Sequence, residues 1–210
     1  MRVESLALAF SSGWASGINS YLVVLVLGVA ERVGGTAAIP DVLGRWEVLA
    51  VAAFLYAFEF VADKVPYVDS AWDVVSTAIR PVVGGVVGVL IAGDSASLDE
   101  LVGGLVGGGS ALASHSVKTG TRMAVNTVPE PFTNIGISLG EDAAVLAVVW
   151  FAVEHPVAAA SVALTLLVVG LVLLWLAWRL VRRGWARLRA WRARRTGPPA
   201  GLGQSRTGTP

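Results

Sequence analysis

Val157-AAASVALTLLVVGLVLLWLA-Trp178 runs for 22 residues without a single charge. A helix needs about 20 mainly apolar residues to cross the hydrocarbon core of a bilayer, so this stretch reads as a membrane span. The rest of the chain agrees. Of 210 residues, 55% are hydrophobic and 15% charged, whereas a soluble domain is about a quarter charged. A mean hydropathy of +0.68 completes the exclusion of a soluble globular class.

Outward from this span, five shorter apolar runs occupy residues 18–30, 46–62, 81–92, 101–113 and 143–153. Each must recruit polar or glycine-containing flanks to reach across, the first by extending back through residues 11–17. The expected fold is therefore all-α: a polytopic helical membrane protein with about six transmembrane helices. Residues 1–178 would form the transmembrane bundle, 179–195 a basic amphipathic helix and 196–210 a disordered tail. Arg2 and a short apolar run resemble a signal peptide, but Glu4 interrupts them, so the N-terminus is expected to be retained.

Charge is distributed unevenly. From Arg179 onward there are 9 arginines and no acid, while 15 acids and 7 bases precede it. Arginines beside membrane ends mark the cytoplasmic side. Six spans counted back from that tail place both termini in the cytoplasm and the loop containing Asp94, Asp99 and Glu100 outside, in a bacterial cytoplasmic membrane. Trp175, Trp178, Trp185 and Trp191 alternate with the arginines, which suits anionic lipid headgroups better than nucleic acid. The bilayer is the expected partner, and a second copy of the chain is also admitted.

The centre is rich in glycine. Gly84/Gly88, Gly103/Gly107 and Gly104/Gly108 are small-xxx-small pairs that let helix backbones approach. The sharper alternative is that glycine interrupts these spans, as in the discontinuous helices of transporters.

Chemistry concentrates in Glu59-FVADKVPYVDSAW-Asp73, followed by Arg80-Pro81. Charge at membrane depth costs at least a few kcal/mol per group and persists where it is paired, solvated or useful. Glu59 and Asp63 share one helix face at i,i+4, and Asp69 and Asp73 form a second such pair beyond the Pro66 turn. Four carboxylates outnumber Lys64 and Arg80, which suggests an ion or proton site; buried ion pairs, with Asp69 capping a helix from Ser70, are the structural alternative. A second polar set, containing His115, Lys118 and Arg122 with Asn126, Thr127, Glu130 and Asn134 beyond, closes the fourth span, and its spacing is not that of a P-loop. Asn19 would be costly in lipid and should face the bundle interior. Glu141 and Asp142 are explained by the N-terminus of the fifth span. There are no cysteines, so no thiolate metal site exists, and the residues name no cofactor or metal.

Ser16-GINS-Tyr21, the acid-rich stretch and Arg80-Pro81 resemble a bacterial family of small multi-pass membrane proteins catalogued as a domain of unknown function. The resemblance covers roughly residues 6–153 and implies an integral-membrane fold without an activity. The leading expectation is a carrier or channel for a small solute or ion, with Asn19, Glu59, Asp63, Lys64, Asp69, Asp73, Arg80, His115 and Lys118 forming its site. A membrane enzyme acting on a lipid or phosphorylated substrate, with the carboxylates holding a metal, and a non-catalytic assembly partner are the alternatives.

Overall fold

The computed structural model describes residues 1–34, 38–93, 97–125 and 131–196. They form α1 (Val3–Gly34), a 3-10 turn (Asp41–Gly44), α2 (Trp46–Ala62), α3 (Pro66–Ala92), α4 (Ser97–Val125), α5 (Pro131–Glu154) and α6 (Pro156–Thr196), with no strand among the described residues. The all-α expectation holds. Stretches of four helices, Val3–Gly34, Val68–Ala92, Phe132–Glu154 and Pro156–Arg189, are long and apolar enough to cross a bilayer. The chain is a helical membrane protein. Residues 1–172 make one compact unit and 173–196, the rest of α6, belong to a second. The expected disordered tail lies, from residue 197 on, outside the described residues.

Several helices begin earlier than their apolar runs. Proline explains α3: Pro66 occupies its first turn, where a missing N–H costs nothing and the fixed φ already suits a helix. Asp69 therefore does not cap a helix starting at Ser70. It lies in the first turn, and its own N–H donates to the carbonyl of Val65 at 2.8 Å. Pro81 sits inside α3 rather than opening it. At the far end the helix stops at Gly93, whose φ of 72° glycine adopts without steric cost.

α1 is not a straight rod. Asn19 has extended dihedrals (φ −151°, ψ 96°) in its middle, and its side-chain Oδ1 accepts the N–H of Leu22 at 3.0 Å. Asn19 thus ends one helical arm, residues 3–18, and caps the next, residues 20–34. The first arm runs parallel to α4, tied by Ser110 to the Phe10 carbonyl at 3.2 Å and Ser114 to the Trp14 carbonyl at 2.6 Å. Lys118 continues the ladder to the Ile18 carbonyl at 3.0 Å. The second arm returns beside α5, from Asn19 at Asp142 to Ala30, Val33 and Gly34 near Trp150 and Glu154.

Both ends of α1 consequently lie at one end of the bundle. The Met1 amino group meets Asp99 at 2.6 Å. Met1, Ala38, Gly93, Asp99 and Glu154 line a common vestibule of about 810 Å³. Six successive crossings would have put Met1 and Asp99 on opposite sides. The polar break at Asn19 folds α1 into a hairpin instead.

The glycines pack rather than interrupt. α3 and α4 run unbroken, and a Cβ at Gly88 or Gly107 would collide with the backbone carbonyl of Gly103 or Gly84 respectively. Gly13 and Gly17 meet α4 on its other side, at Gly107 and Ala111. The apolar core gathers Leu8, Val23, Leu27, Val87, Val145 and Val149 between the vestibule and the hairpin tip. In α6, Ala159, Ala163 and Leu167 form the buried stripe at i,i+4 spacing, while most of its large apolar side chains remain exposed, as a lipid-facing helix requires.

Candidate functional site

The turn of α1 ends in a buried polar network. Breaking a helix frees carbonyls that would otherwise accept N–H groups four residues on, and at membrane depth such backbone must be satisfied within the protein. Two basic side chains do this. Arg80 of α3 donates to the Gly17 carbonyl at 3.3 Å, and Lys118 of α4 donates to that of Ile18. Cations at the C-terminal end of a helical arm also suit its dipole.

Arg80 organises one part of the network. Its guanidinium pairs with Glu59 of α2 at 2.5 Å and with Asp73, two turns earlier on α3, at 3.4 Å. It also donates to Nδ1 of His115 at 2.7 Å. A guanidinium cannot accept, so His115 Nδ1 carries no proton and the ring is the neutral Nε2–H tautomer. That Nε2 lies 3.0 Å from Thr77 Oγ1, which itself donates to the Asp73 carbonyl at 2.8 Å.

Lys118 and Arg122, one turn apart on α4, organise the second part. Lys118 pairs with Asp63 at 2.8 Å and Glu141 at 3.5 Å. Arg122 binds Glu141 at 2.6 Å, Asp69 at 3.5 Å and the Asn134 amide oxygen at 2.8 Å. Arg122 and Asn134 each donate to the backbone carbonyl of Asp63 at 3.1 Å, so the α2 terminus is clamped by side chains of α4 and α5.

Asn19 contributes a third contact, its amide donating to Asp142 of α5 at 3.0 Å. Eight of the nine residues singled out from sequence, all but Lys64, are thus buried together: Asn19, Glu59, Asp63, Asp69, Asp73, Arg80, His115 and Lys118. Lys64 turns elsewhere, donating to the Phe60 carbonyl at 2.7 Å with its ammonium over the Phe60 ring. Partial desolvation holds Lys64 below the usual lysine range despite the pull of Asp142 and Asp63. It is half-exposed and joins none of the ion pairs.

Sequence reading gave Glu141 and Asp142 to a helix N-terminus. α5 begins at Pro131, so both acids lie well inside it and face the network. The missed signal was spacing: Asn134, Ser138 and Asp142 recur every four residues, as do Ser110, Ser114, Lys118 and Arg122 on α4. These are two polar stripes on otherwise apolar helices. Asn126, Thr127 and Glu130, which also belonged to the second polar set, lie outside the described residues.

The network is a poor multidentate metal cage: among the described residues no three carboxylate or imidazole groups converge as ligands. Basic side chains interleave the acids. Even so, Glu59 Oε2, Asp63 Oδ1, Arg80 Nε and Asp142 Oδ2 are buried without a hydrogen-bond partner. A cavity of about 130 Å³, bordered by Trp14, Ser114, Leu166 and Leu167, reaches Lys118 and Glu141.

No curated protein and no solved structure matches the chain. The four long apolar helices are features of an integral membrane protein, and the sequence model of one family spans residues 6–182. The chain belongs to that family, the domain of unknown function DUF4126.

Proposed function

We propose that the protein is a carrier that moves a small ion, or a solute coupled to one, across the bacterial cytoplasmic membrane. The observation that carries this reading is the break of α1 at Asn19, with its freed carbonyls facing a buried network in which acids outnumber bases. Glu59, Asp63, Asp69, Asp73 and Asp142 are buried against Arg80, Lys118 and Arg122. An excess of negative charge in a low-dielectric interior favours uptake of protons or a cation. Half-helix ends near the midplane are how many secondary transporters present a binding site. The apolar layer between network and vestibule supports an alternating carrier over an open channel.

The arginines of 179–195 follow the charge-free stretch 157–178 directly along α6, which supports a cytoplasmic assignment for that end of the crossing. The vestibule, with Met1 and Asp99, then faces the opposite side. Trp175, Trp178 and Trp185 are exposed, consistent with this basic segment lying on anionic lipid.

Thermal unfolding of the purified protein over a panel of cations and pH values tests the reading, together with ion flux into vesicles under an imposed gradient. The expected result is ligand-dependent stabilisation and flux in the parent. At least one of Glu59→Gln, Asp63→Asn, Asp69→Asn and Asp73→Asn should fold yet lose both. No flux, no ion or pH dependence, and destabilisation by every neutralisation would leave the acids as helix locks and overturn the carrier.

A further inference from the structure

Asp142 stands apart from the other acids of the network. It is 8% exposed; of the bases that act on it, Lys118 is committed to Asp63 and Glu141, and Lys64 holds its ammonium over the Phe60 ring. No ion pair reaches it among the described residues. One oxygen accepts from the Asn19 amide at 3.0 Å, and the other, Oδ2, has no hydrogen-bond partner. One turn before it on α5, the Ser138 hydroxyl is also buried and without a partner. A carboxylate buried here without an ion pair is only partly compensated for desolvation, a cost that protonation removes.

From this geometry we infer that Asp142 is a proton-binding site at the tip of the α1 hairpin. The inference rests on the carrier reading for its role in transport, not for its existence. The groups facing Asp142 come from every neighbouring element. They are Asn19 of α1, Tyr56 of α2, Asp63 and Lys64 at the turn after α2, and Lys118 of α4, with Glu141 beside it on α5. Of these, the Tyr56 phenol has a loose hydrogen-bonding interaction with the carboxylate, yet Oδ2 lacks a full hydrogen bond.

A metal ion is a poorer fit than a proton. Hard cations take about six oxygens or more. Asn19 points its NH₂ at Asp142 because its own oxygen is used on the N–H of Leu22. The nearby Gly17 and Ile18 carbonyls are occupied by Arg80 and Lys118. The available chemistry is one carboxylate oxygen taking one proton, the charge passing from −1 to 0 with no other bond made or broken.

Protonation has a mechanical consequence. A hydrogen bond to a carboxylate is roughly twice as strong as one to a neutral acceptor. Neutral Asp142 therefore holds Asn19 less firmly, and Asn19 is the residue at which α1 reverses. Proton uptake loosens the hairpin tip, and proton release tightens it.

Infrared titration of the purified parent protein tests the inference directly by following the C=O stretch of a protonated carboxylic acid. A band that rises on acidification, is lost in Asp142→Asn and shifts in frequency in Asp142→Glu is the expected result. Asn19→Ala, which removes the partner of the charged form, should move the band's titration midpoint to higher pH. No titrating band in the folded parent, or one retained unchanged in Asp142→Asn, would overturn the site; if Asp142→Asn fails to fold, Asp142→Glu, which keeps a carboxyl, decides by whether the band shifts. Proton flux into dye-loaded vesicles is measured alongside. A band assigned to Asp142 without flux upholds the proton site and removes the carrier, whereas flux with the band retained in Asp142→Asn keeps the carrier and removes the site.

Discussion

Arg122 shows how a strongly charged residue is tolerated inside this bundle. Its five N–H donors meet three acids, an amide oxygen and a backbone carbonyl from three separate elements, so few of its donors go unused. Arg122→Ala would leave Glu141 to its longer pairing with Lys118 and unclamp the end of α2. Breaking a buried ion pair in this way typically costs about 3–5 kcal/mol, and chemical or thermal unfolding in detergent should show a loss of that size. Arg122→Lys keeps the charge but not the planar fork, and should recover only part of the stability. The acids of residues 59–73, which are buried together, stand out in the sequence because charge amid apolar residues is conspicuous. Sequence reading missed Asp142 because an acid pair ahead of an apolar run has an adequate local explanation, and only the start of α5 at Pro131 removes it.

Among the elements, α4 is where close packing and charge meet. Its glycines admit α3 on one side and the first arm of α1 on the other, while its serines and Lys118 hold that arm in register. Gly107→Val should force α3 from α4, because even a Cβ there meets the Gly84 carbonyl, and the yield of folded protein should collapse. Gly109→Ala has nothing within 4 Å and should be neutral or stabilising by up to about 1 kcal/mol, from the higher helix propensity of alanine. A size-exclusion profile and an unfolding curve for each variant check both outcomes. The small-residue spacing was legible in the sequence. The turn of α1 was not, because one asparagine in an apolar run reads as a buried polar residue until the partners of the freed carbonyls are seen.

At the scale of the molecule, the hairpin sets which loops share a side. The chain has no cysteines, so single thiols can be introduced cleanly at Glu4, Lys64 and Leu98. A membrane-impermeant thiol reagent should label Glu4→Cys and Leu98→Cys from one side and Lys64→Cys from the other. Labelling of Glu4→Cys and Leu98→Cys from opposite sides would restore a straight first crossing. The hairpin also bears on biogenesis. At about 1.5 Å per residue, the 32 residues of α1 would extend to about 48 Å, longer than a bilayer's hydrocarbon core. They leave the ribosome before the groups that hold their bend exist: Arg80, then Lys118, then Asp142. Until then the Gly17 and Ile18 carbonyls have no native partner, and the bend is unsupported in lipid. Insertion of α1 cannot be complete when it is synthesised. It must be revised after α5 arrives, which makes this protein's maturation a late, whole-chain event and exposes its nascent form to membrane quality control.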